Sequence, residues 1–275
     1  MSASETSYKY RIPVRLPGIV YKYRSWKDPY HKNLLCKNQI YLPSPEELND
    51  PFDGVNTQDF LLLDSNDKVS EYVEQVMERQ KENLLYLGLN LENERLKLIH
   101  KLKDLAKLQK EEVNNAKELR RRLGIFSLSW RWDSILMWSH YGDCHHGFCI
   151  GFSEGALRSC CSFGFWSYVQ YNDEIVRIDP RAYFDIRSLF IQTFVKSKDW
   201  DYEKEYRLMK FFEKENANRI IPISNNCFSE LILGINISED DKIEIISVAK
   251  EKGIKKIFQA VRVNNKYDLE RYEIL

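Results

Sequence analysis

Hydrophobic and polar residues follow two different periods along this chain. Short apolar or alternating runs at 19–24, 125–130 and 208–212 are typical of β-strands, in which successive side chains point to opposite faces. Between residues 68 and 123 the pattern changes, and Leu, Val and Ala recur at helical spacing among Glu, Lys and Asn without any proline. This segment predicts two helices that are separated near residues 88–90.

The order of these elements indicates the fold class. Many short strands with few helices between them, and no regular alternation of strand and helix, favour an α+β fold over a doubly wound parallel sheet. We therefore predict a single β-rich domain of short strands over residues 1–275, with residues 68–123 as a helical insertion within it. The wide polar face of the insertion leaves two alternatives open: packing on the main body, or binding of a protein partner through helices 68–123.

The composition limits the binding partners and the cellular compartment that we expect for the protein. The chain has 275 residues, of which 43% are hydrophobic, and its 41 basic residues equal its 41 acidic residues. A balanced charge provides no long-range attraction to nucleic acid or to an anionic membrane. The polar N-terminal stretch lacks the apolar region of a signal peptide, and no apolar run approaches the length of a membrane span. The six cysteines form no C-x-x-C pair, so we expect reduced thiols in a cytoplasmic protein without membrane contact.

Two common nucleotide-binding motifs do not occur in the sequence. It contains neither a G-x-G-x-x-G nor a G-x-x-x-x-G-K pattern, which argues against a Rossmann dehydrogenase and a P-loop ATPase. Metal-ligating residue types cluster within seven residues, but their spacing fits no standard zinc pattern, and we predict no metal site. These residues are His140, Asp143, Cys144, His145 and His146.

Residues 199–207 carry the most informative chemistry. This block, Asp-Trp-Asp-Tyr-Glu-Lys-Glu-Tyr-Arg, precedes the apolar run at 208–212 and should open a strand. On a strand Glu203, Glu205 and Arg207 share one face, so two carboxylates are crowded beside a cation. Such crowding occurs both in solvated charge ladders on surface strands and in catalytic clefts. The pattern leaves both alternatives open.

Aromatic residues surround a cation in the region 130–141. Two tryptophans flank Arg131, and a short aromatic helix follows. One alternative is a corner of the core around that helix; the other is a pocket wall, where rings stack on a base or a nicotinamide and Arg131 binds phosphate. The residues concerned are Trp130, Arg131, Trp132, Met137, Trp138 and Tyr141.

Aromatic and cationic residues also alternate at Tyr21-Lys22-Tyr23-Arg24. Lys22 and Arg24 should point to the same side of a strand. They either protect an exposed edge strand against aggregation or present donors to a phosphate or a ribose.

Four short sequence blocks, which are given below in chain order, resemble those of a widespread bacterial and phage-associated domain family of unknown function. The resemblance extends over most of residues 19–212 and excludes the helical segment. The bacterial and phage-associated setting of that family implies a role as a toxin or a phage-defence effector. The blocks are Tyr21-Lys22-Tyr23-Arg24-Ser25, Asn49-Asp50-Pro51-Phe52-Asp53, Met137-Trp138-Ser139-His140-Tyr141 and Trp200-x-Tyr202-Glu203-x-Glu205-Tyr206-Arg207.

A weaker resemblance concerns activity. The order of three elements is similar to that in the ADP-ribosyltransferase superfamily, especially its DNA-modifying toxin branch. These elements are an early strand with a polar residue, a strand that runs into a short aromatic helix, and a late strand that opens with glutamate. This resemblance implies an ADP-ribosyltransferase-like fold, NAD as the substrate, and a nucleic acid or a protein as the acceptor. In several branches the catalytic residue is the second glutamate of a Glu-x-Glu pair, which corresponds to Glu205, with Glu203 contacting the acceptor. The first strand of the superfamily often carries His or Arg, and the matching position here is Lys22 or Tyr23.

The implied chemistry is glycosyl transfer from NAD. Breaking the bond between nicotinamide and ribose develops a cation on the sugar, and a fixed carboxylate stabilises that charge most in the transition state. We expect the catalytic and NAD-binding residues to line one concave site. The implied catalytic residues are Glu205 and Glu203, and the implied NAD-binding residues are Lys22, Tyr23, Trp130, Arg131, Met137, Trp138, Tyr141 and Arg207.

Two other classes of function stay open at this stage. One is a non-catalytic domain that recognises a ligand through the aromatic pocket and a partner through the helices. The other is a nuclease, whose functional residues would be Asp50, Asp53, His140 and Glu205.

Overall fold

The computed structural model describes residues 15–182 and 191–274, which group into two compact units. The first, which we call the β-rich unit, lies within Pro13–Asn49, Arg121–Tyr171 and Lys196–Leu275. The second, which we call the helical unit, includes Asp50–Arg120 and the described residues of Asn172–Val195.

The helices and strands are numbered along the chain. In order they are β1 (Ile19–Arg24), α1 (Pro29–Cys36), β2 (Gln39–Tyr41), α2 (Asn66–Tyr86), α3 (Leu91–Lys101), α4 (Leu105–Arg120), β3 (Leu123–Ser129), α5 (Ile135–Tyr141), β4 (Phe148–Ser153), α6 (Glu154–Cys161), β5 (Phe165–Tyr168), β6 (Gln170–Asn172), β7 (Val195–Ser197), β8 (Glu205–Phe211), β9 (Ile220–Pro222), β10 (Phe228–Leu233), α7 (Glu239–Glu251), β11 (Ile257–Arg262) and β12 (Leu269–Glu273).

An eight-stranded sheet forms the centre of the β-rich unit. Its strand order is β12-β11-β10-β4-β1-β3-β8-β5, and all neighbours are antiparallel except β10 and β11. A smaller antiparallel sheet pairs β2 with β9. The chain is therefore a mixed α/β protein with a large mixed sheet, which confirms the coarse fold class; the ADP-ribosyltransferase-like fold stays a prediction.

Each face of the large sheet packs against an apolar core, and successive side chains along a strand point into one core or the other. Phe126, Phe152 and Tyr206 belong to the core on one face, whereas Tyr23 and Trp138 belong to the core on the other. This arrangement explains why β4, near the middle of the sheet, is buried along almost its whole length.

Residues 66–120 form three helices where the sequence predicted two. The break near residues 88–90 is confirmed, since α2 ends at Tyr86 and the side chain of Asn90 caps α3. A second break follows Lys101, and the Asp104 carboxylate accepts a hydrogen bond from the backbone N–H of Lys107 in the first turn of α4. The sequence analysis overlooked this capping signal, because the leucine spacing continues across the break.

The helical unit has its own apolar core. Phe60, Tyr72, Val76 and Leu102 are among its buried residues. None of the helices in the described ranges is long and apolar enough to span a membrane. The description of the chain as one domain with an insertion stays a prediction.

Candidate functional site

Four charged side chains meet in the interior of the β-rich unit. They form what we call the charge cluster, in which the relative exposure of every residue is 6% or less. Charged residues are rarely buried to this extent unless they are paired, so the geometry of the pairs determines what the cluster can do. The members are Lys196, Glu203, Glu205 and Arg207.

The strand β8 places two of the four side chains. Glu205 and Arg207 lie on one face of β8, whereas Tyr206 and Leu208 pack into the apolar core on the other face. The prediction that Glu203 continues the same strand was wrong. Glu203 ends a 3-10 turn, and Lys204 adopts a left-handed conformation with φ of 46°, which interrupts the extended backbone.

The turn nevertheless returns Glu203 to the cluster. Lys196, on β7, donates a hydrogen bond from Nζ to Glu203 Oε2 at 2.7 Å, and its Nζ lies 3.6 Å from Glu205 Oε2. Lys196 therefore bridges the two carboxylates. The sequence analysis did not select Lys196, although a single lysine after the apolar residues Phe194 and Val195 was a signal that could have identified it.

Arg207 holds Glu205 in a two-point contact. Its Nε donates to Glu205 Oε1 at 2.7 Å and its Nη2 donates to Oε2 at 3.0 Å. Burial alone would raise the pKa of Glu205, but the charges of Arg207 and Lys196, together with hydrogen bonds from Arg207 and Ser127, outweigh it and lower that pKa to about 2. Glu205 is consequently an anion at neutral pH and does not act there as a proton donor.

Glu203 is also connected to two of the four sequence blocks on which the family resemblance rests. The Tyr141 hydroxyl donates to Glu203 Oε1 at 2.6 Å, and the Asn49 side chain donates to the Tyr141 oxygen at 2.8 Å. Burial, followed by the charge and the hydrogen bond of Glu203, raises the pKa of Tyr141, so this hydroxyl remains a donor at neutral pH. The contact joins α5 to the turn before β8.

Lys22 and Tyr23 lie on opposite faces of β1. Tyr21 pairs with Ser129, and Ser129 pairs with Glu205, so these three side chains occupy one face of the sheet. Tyr23 shares that face by alternation, whereas Lys22 points to the other. Of the two residues proposed for the first strand, only Tyr23 is therefore on the face of Glu205.

Lys22 is positioned where β1 and β3 stop pairing, since the two strands share a single rung. Its ammonium group donates to the Ser127 carbonyl and lies 5.2 Å from the centre of the Phe126 ring. Burial and the neighbouring charge of Arg24 lower the pKa of Lys22, while Glu205 and Glu203 oppose that change.

Tyr23, Met137 and Trp138 are core residues in this structure. The Tyr23 and Trp138 rings meet edge to face with centroids 5.1 Å apart, and Met137 packs in the same core. Tyr23 donates its hydroxyl to the Arg131 carbonyl at 2.8 Å. These contacts match the alternative in which this region is a corner of the core, and the NAD-binding roles of the three residues stay predictions.

Trp130 and Arg131 reach the surface. Trp130 is 43% exposed and contacts Tyr168 edge to face. Arg131 forms a two-point contact with Asp133, with Nε to Oδ1 at 2.7 Å and Nη2 to Oδ2 at 2.9 Å. A phosphate bound by Arg131 would have to share the guanidinium with Asp133.

The turn at residues 142–147, where residue types that can bind metals cluster in the sequence, is tightly folded. Asp143, Cys144 and His145 all have positive φ, and His145 Nε2 lies 3.3 Å from the Ser139 hydroxyl. Within residues 15–182 and 191–274, no group of three or more His, Cys, Asp or Glu side chains is arranged to hold a metal ion.

Comparison with known families gives a match over part of the chain, and the charge cluster lies within the matched part. Residues 137–208 match the model of a family described as "Protein of unknown function (DUF2971)". No curated protein and no solved structure matches the chain. The matched segment runs from Met137 on α5 to Leu208 on β8 and includes all four members of the charge cluster. Similarity to a family of unknown function is thus confirmed over this segment, and the resemblance to ADP-ribosyltransferases stays a prediction.

Proposed function

We propose that the protein is an NAD-dependent enzyme of the ADP-ribosyltransferase type, in which Glu205 is the carboxylate beside the reacting sugar. The observation that carries this proposal is the order of three strands. The early strand β1, the strand β3 that leads to the aromatic helix, and the late strand β8 that opens with Glu205 are consecutive neighbours in the sheet. These are the three elements on which the sequence resemblance rests.

The state of Glu205 suits the proposed chemistry. A sugar that loses nicotinamide develops positive charge, and an anion that is already ionised and oriented stabilises this charge without reorganisation. The pKa of about 2 keeps Glu205 ionised, and Arg207 and Ser127 hold its orientation. The stabilisation is also stronger in a buried site than in water, because the effective dielectric constant is lower.

The contact with Arg207 does not use all the hydrogen-bonding positions of the Glu205 carboxylate. An ionised carboxylate offers about four lone-pair positions, and Arg207 occupies one on each oxygen. Ser127 occupies a third position, so Glu205 retains one position for a hydrogen bond from a ribose hydroxyl while it remains paired.

Glu203 has the contacts expected of a group that orients an acceptor. It is held from one side by Lys196 and from the other by Tyr141. In the proposed reaction Glu203 orients or deprotonates the attacking group of the nucleic acid or protein acceptor, and Glu205 stabilises the cation. A role as a toxin or phage-defence effector belongs to the same proposal, because it rests on the family resemblance.

The test is release of nicotinamide from NAD by the purified protein, with cell lysate supplied as a source of acceptor. Glu205→Gln should lower turnover by about two to four orders of magnitude, which corresponds to ~3–5 kcal/mol of transition-state stabilisation. NAD binding should weaken much less, since the cation exists only in the transition state. Glu203→Gln should impair transfer to the acceptor more than cleavage of NAD by water.

Glu230→Gln provides a matched control for lost stability. Glu230 is 3% exposed, like Glu205, and its carboxylate pairs with Arg271 and accepts from the Tyr21 hydroxyl at 2.9 Å. It lies on β10, which is separated from β8 by three strands. This variant should retain turnover per folded molecule. If the parent protein neither binds NAD nor transfers label from it, the enzyme proposal is wrong.

A second candidate is a non-catalytic recognition protein. Two cations and two anions balance within the charge cluster, as in an ion-pair network that only supports the fold. This candidate predicts no NAD turnover in the parent protein and no change of any rate in the glutamine variants.

A further inference from the structure

A cavity of about 380 Å³ lies in the β-rich unit, on the opposite face of β1 from Glu205. It is bounded by α1, β2 and β9 and by the two strands β1 and β3. Arg24 comes from β1 and Phe126 from β3, and both line the cavity. The proposed NAD chemistry does not use this cavity, so the inference that follows goes beyond the proposed function.

Arg24 is a half-buried cation without a carboxylate partner among the described residues. Within residues 15–182 and 191–274 its guanidinium makes one hydrogen bond, a 3.3 Å contact from Nη1 to the carbonyl of the preceding residue, Tyr23. A guanidinium has five N–H donors in a fixed fork, so most of the donors of Arg24 are unused. Burial lowers the pKa of Arg24 to about 10, and the charge of Asp28 opposes that change only in part. Arg24 therefore remains charged at neutral pH.

Other polar groups in the cavity are also available. The side chains of Asn33 and Gln39 line it and form no hydrogen bond with the part of the chain that the structure describes. His31 Nδ1 accepts from the Ser25 backbone N–H at 3.3 Å, which assigns the proton of the neutral ring to Nε2. The polar lining thus offers the guanidinium of Arg24 and the amide NH2 groups of Asn33 and Gln39 as donors, and an anion would satisfy them.

The remaining wall is apolar. Phe126, Leu34 and Ile40 line the cavity and are each less than 5% exposed. A cation at an apolar wall favours a ligand that combines an anionic group with a flat, hydrophobic body. The volume is at the low end of the ~300–1,000 Å³ found for small-molecule sites, so the ligand is of mononucleotide size or smaller.

We propose that this cavity binds a small organic anion, whose phosphate or carboxylate pairs with Arg24 and whose flat ring packs against Phe126 and Ile40. Asn33 and Gln39 complete the site by hydrogen bonding to polar atoms of the ligand. The binding needs no covalent step and no residue of the charge cluster.

The experiment is isothermal titration calorimetry of the full chain at pH 7 with three probes. Adenosine 5′-monophosphate and benzoate carry a phosphate and a carboxylate, respectively, and adenosine carries no charge. At least one anion should bind, and adenosine should bind about tenfold more weakly or worse than adenosine 5′-monophosphate if phosphate is the recognised group. Binding of adenosine 5′-monophosphate alone identifies the phosphate class, and binding of benzoate alone identifies the carboxylate class.

Two variants assign the binding to this cavity. Arg24→Gln should weaken it by about tenfold or more, because a charge-assisted two-point contact is lost. The matched control is Lys37→Gln, which removes a nearby positive charge from an exposed position at the end of α1 and should change affinity by less than about twofold.

A third variant tests whether the anion binds in this cavity if Arg24→Gln does not fold. Asn33→Phe fills the cavity from the half-buried side of α1 and should abolish binding while the thermal unfolding midpoint is kept. The proposal is overturned if neither anion binds the parent at millimolar concentration. It is also overturned if a folded Arg24→Gln or Asn33→Phe protein binds with unchanged affinity.

Discussion

Replacing Glu205 with glutamine removes one of the two negative charges from the charge cluster and keeps its size. Lys196 and Arg207 then share a single carboxylate within the cluster, which is left with one more positive than negative charge. A pKa that falls from the usual 4.5 to about 2 in the folded protein corresponds to about 3 kcal/mol of stability at neutral pH. Removal of one partner of a buried ion pair typically costs ~3–5 kcal/mol, so the two approaches agree on a loss of about 3 kcal/mol.

The pH dependence has a definite sign. Because the folded-state pKa of Glu205 is lowered, its stabilising contribution is fully present above pH 4.5 and is lost as the pH falls towards about 2. The difference in unfolding free energy between parent and Glu205→Gln should therefore be constant between pH 7 and pH 5. It should shrink progressively at lower pH, where the parent carboxylate takes up a proton.

Urea unfolding followed by tryptophan fluorescence measures this effect in the right part of the molecule. All six tryptophans lie in the β-rich unit, so the signal reports on the unit that contains Glu205. Glu270→Gln on β12 is the control, because Glu270 is exposed and should change stability by less than about 0.5 kcal/mol. A loss below about 1 kcal/mol for Glu205→Gln, or a difference that grows below pH 4.5, would refute the argument from buried pairing.

Two further predictions address other parts of the chain. His31 should titrate near pH 4 in an NMR titration, because burial and then the charge of Arg24 lower its pKa to about 4. Arg24→Gln should move that midpoint upward. A midpoint near 6.5 in the parent protein would contradict the assignment. Replacement of residues 50–120 by a short Gly-Ser linker should leave a cooperative tryptophan unfolding transition, because the flanking segments are hydrogen-bonded to each other: the Ile125 N–H donates to the Pro43 carbonyl at 2.9 Å. Loss of that transition would show that the β-rich unit depends on the excised helices.

The sequence by itself determined the features that depend on local periodicity. Alternation of apolar residues located the strands at 19–24 and 208–211, and helical spacing located the segment that contains α2 to α4. The proximity of Glu205 to Arg207 also followed from sequence, because residues two apart on a strand share one face. These features depend on the backbone repeat and require no knowledge of distant partners.

Only the tertiary structure decided how the cluster is completed. Lys196 and Tyr141 come from β7 and α5, and nothing in their local pattern specifies that they meet Glu203. The left-handed Lys204 likewise broke the strand that alternation alone predicted through Glu203.

The face on which each residue of β1 lies was also a tertiary result. Alternation separates Lys22 and Arg24 from Tyr23, but the register with β3 and β8 determines which set faces Glu205. A cavity lined by Arg24 exists because helix α1 and strand β2 pack over that opposite face without filling it. The physical reason is the same in each case: the sequence specifies the period of an element, whereas packing between distant elements specifies its neighbours and the charges that must be paired.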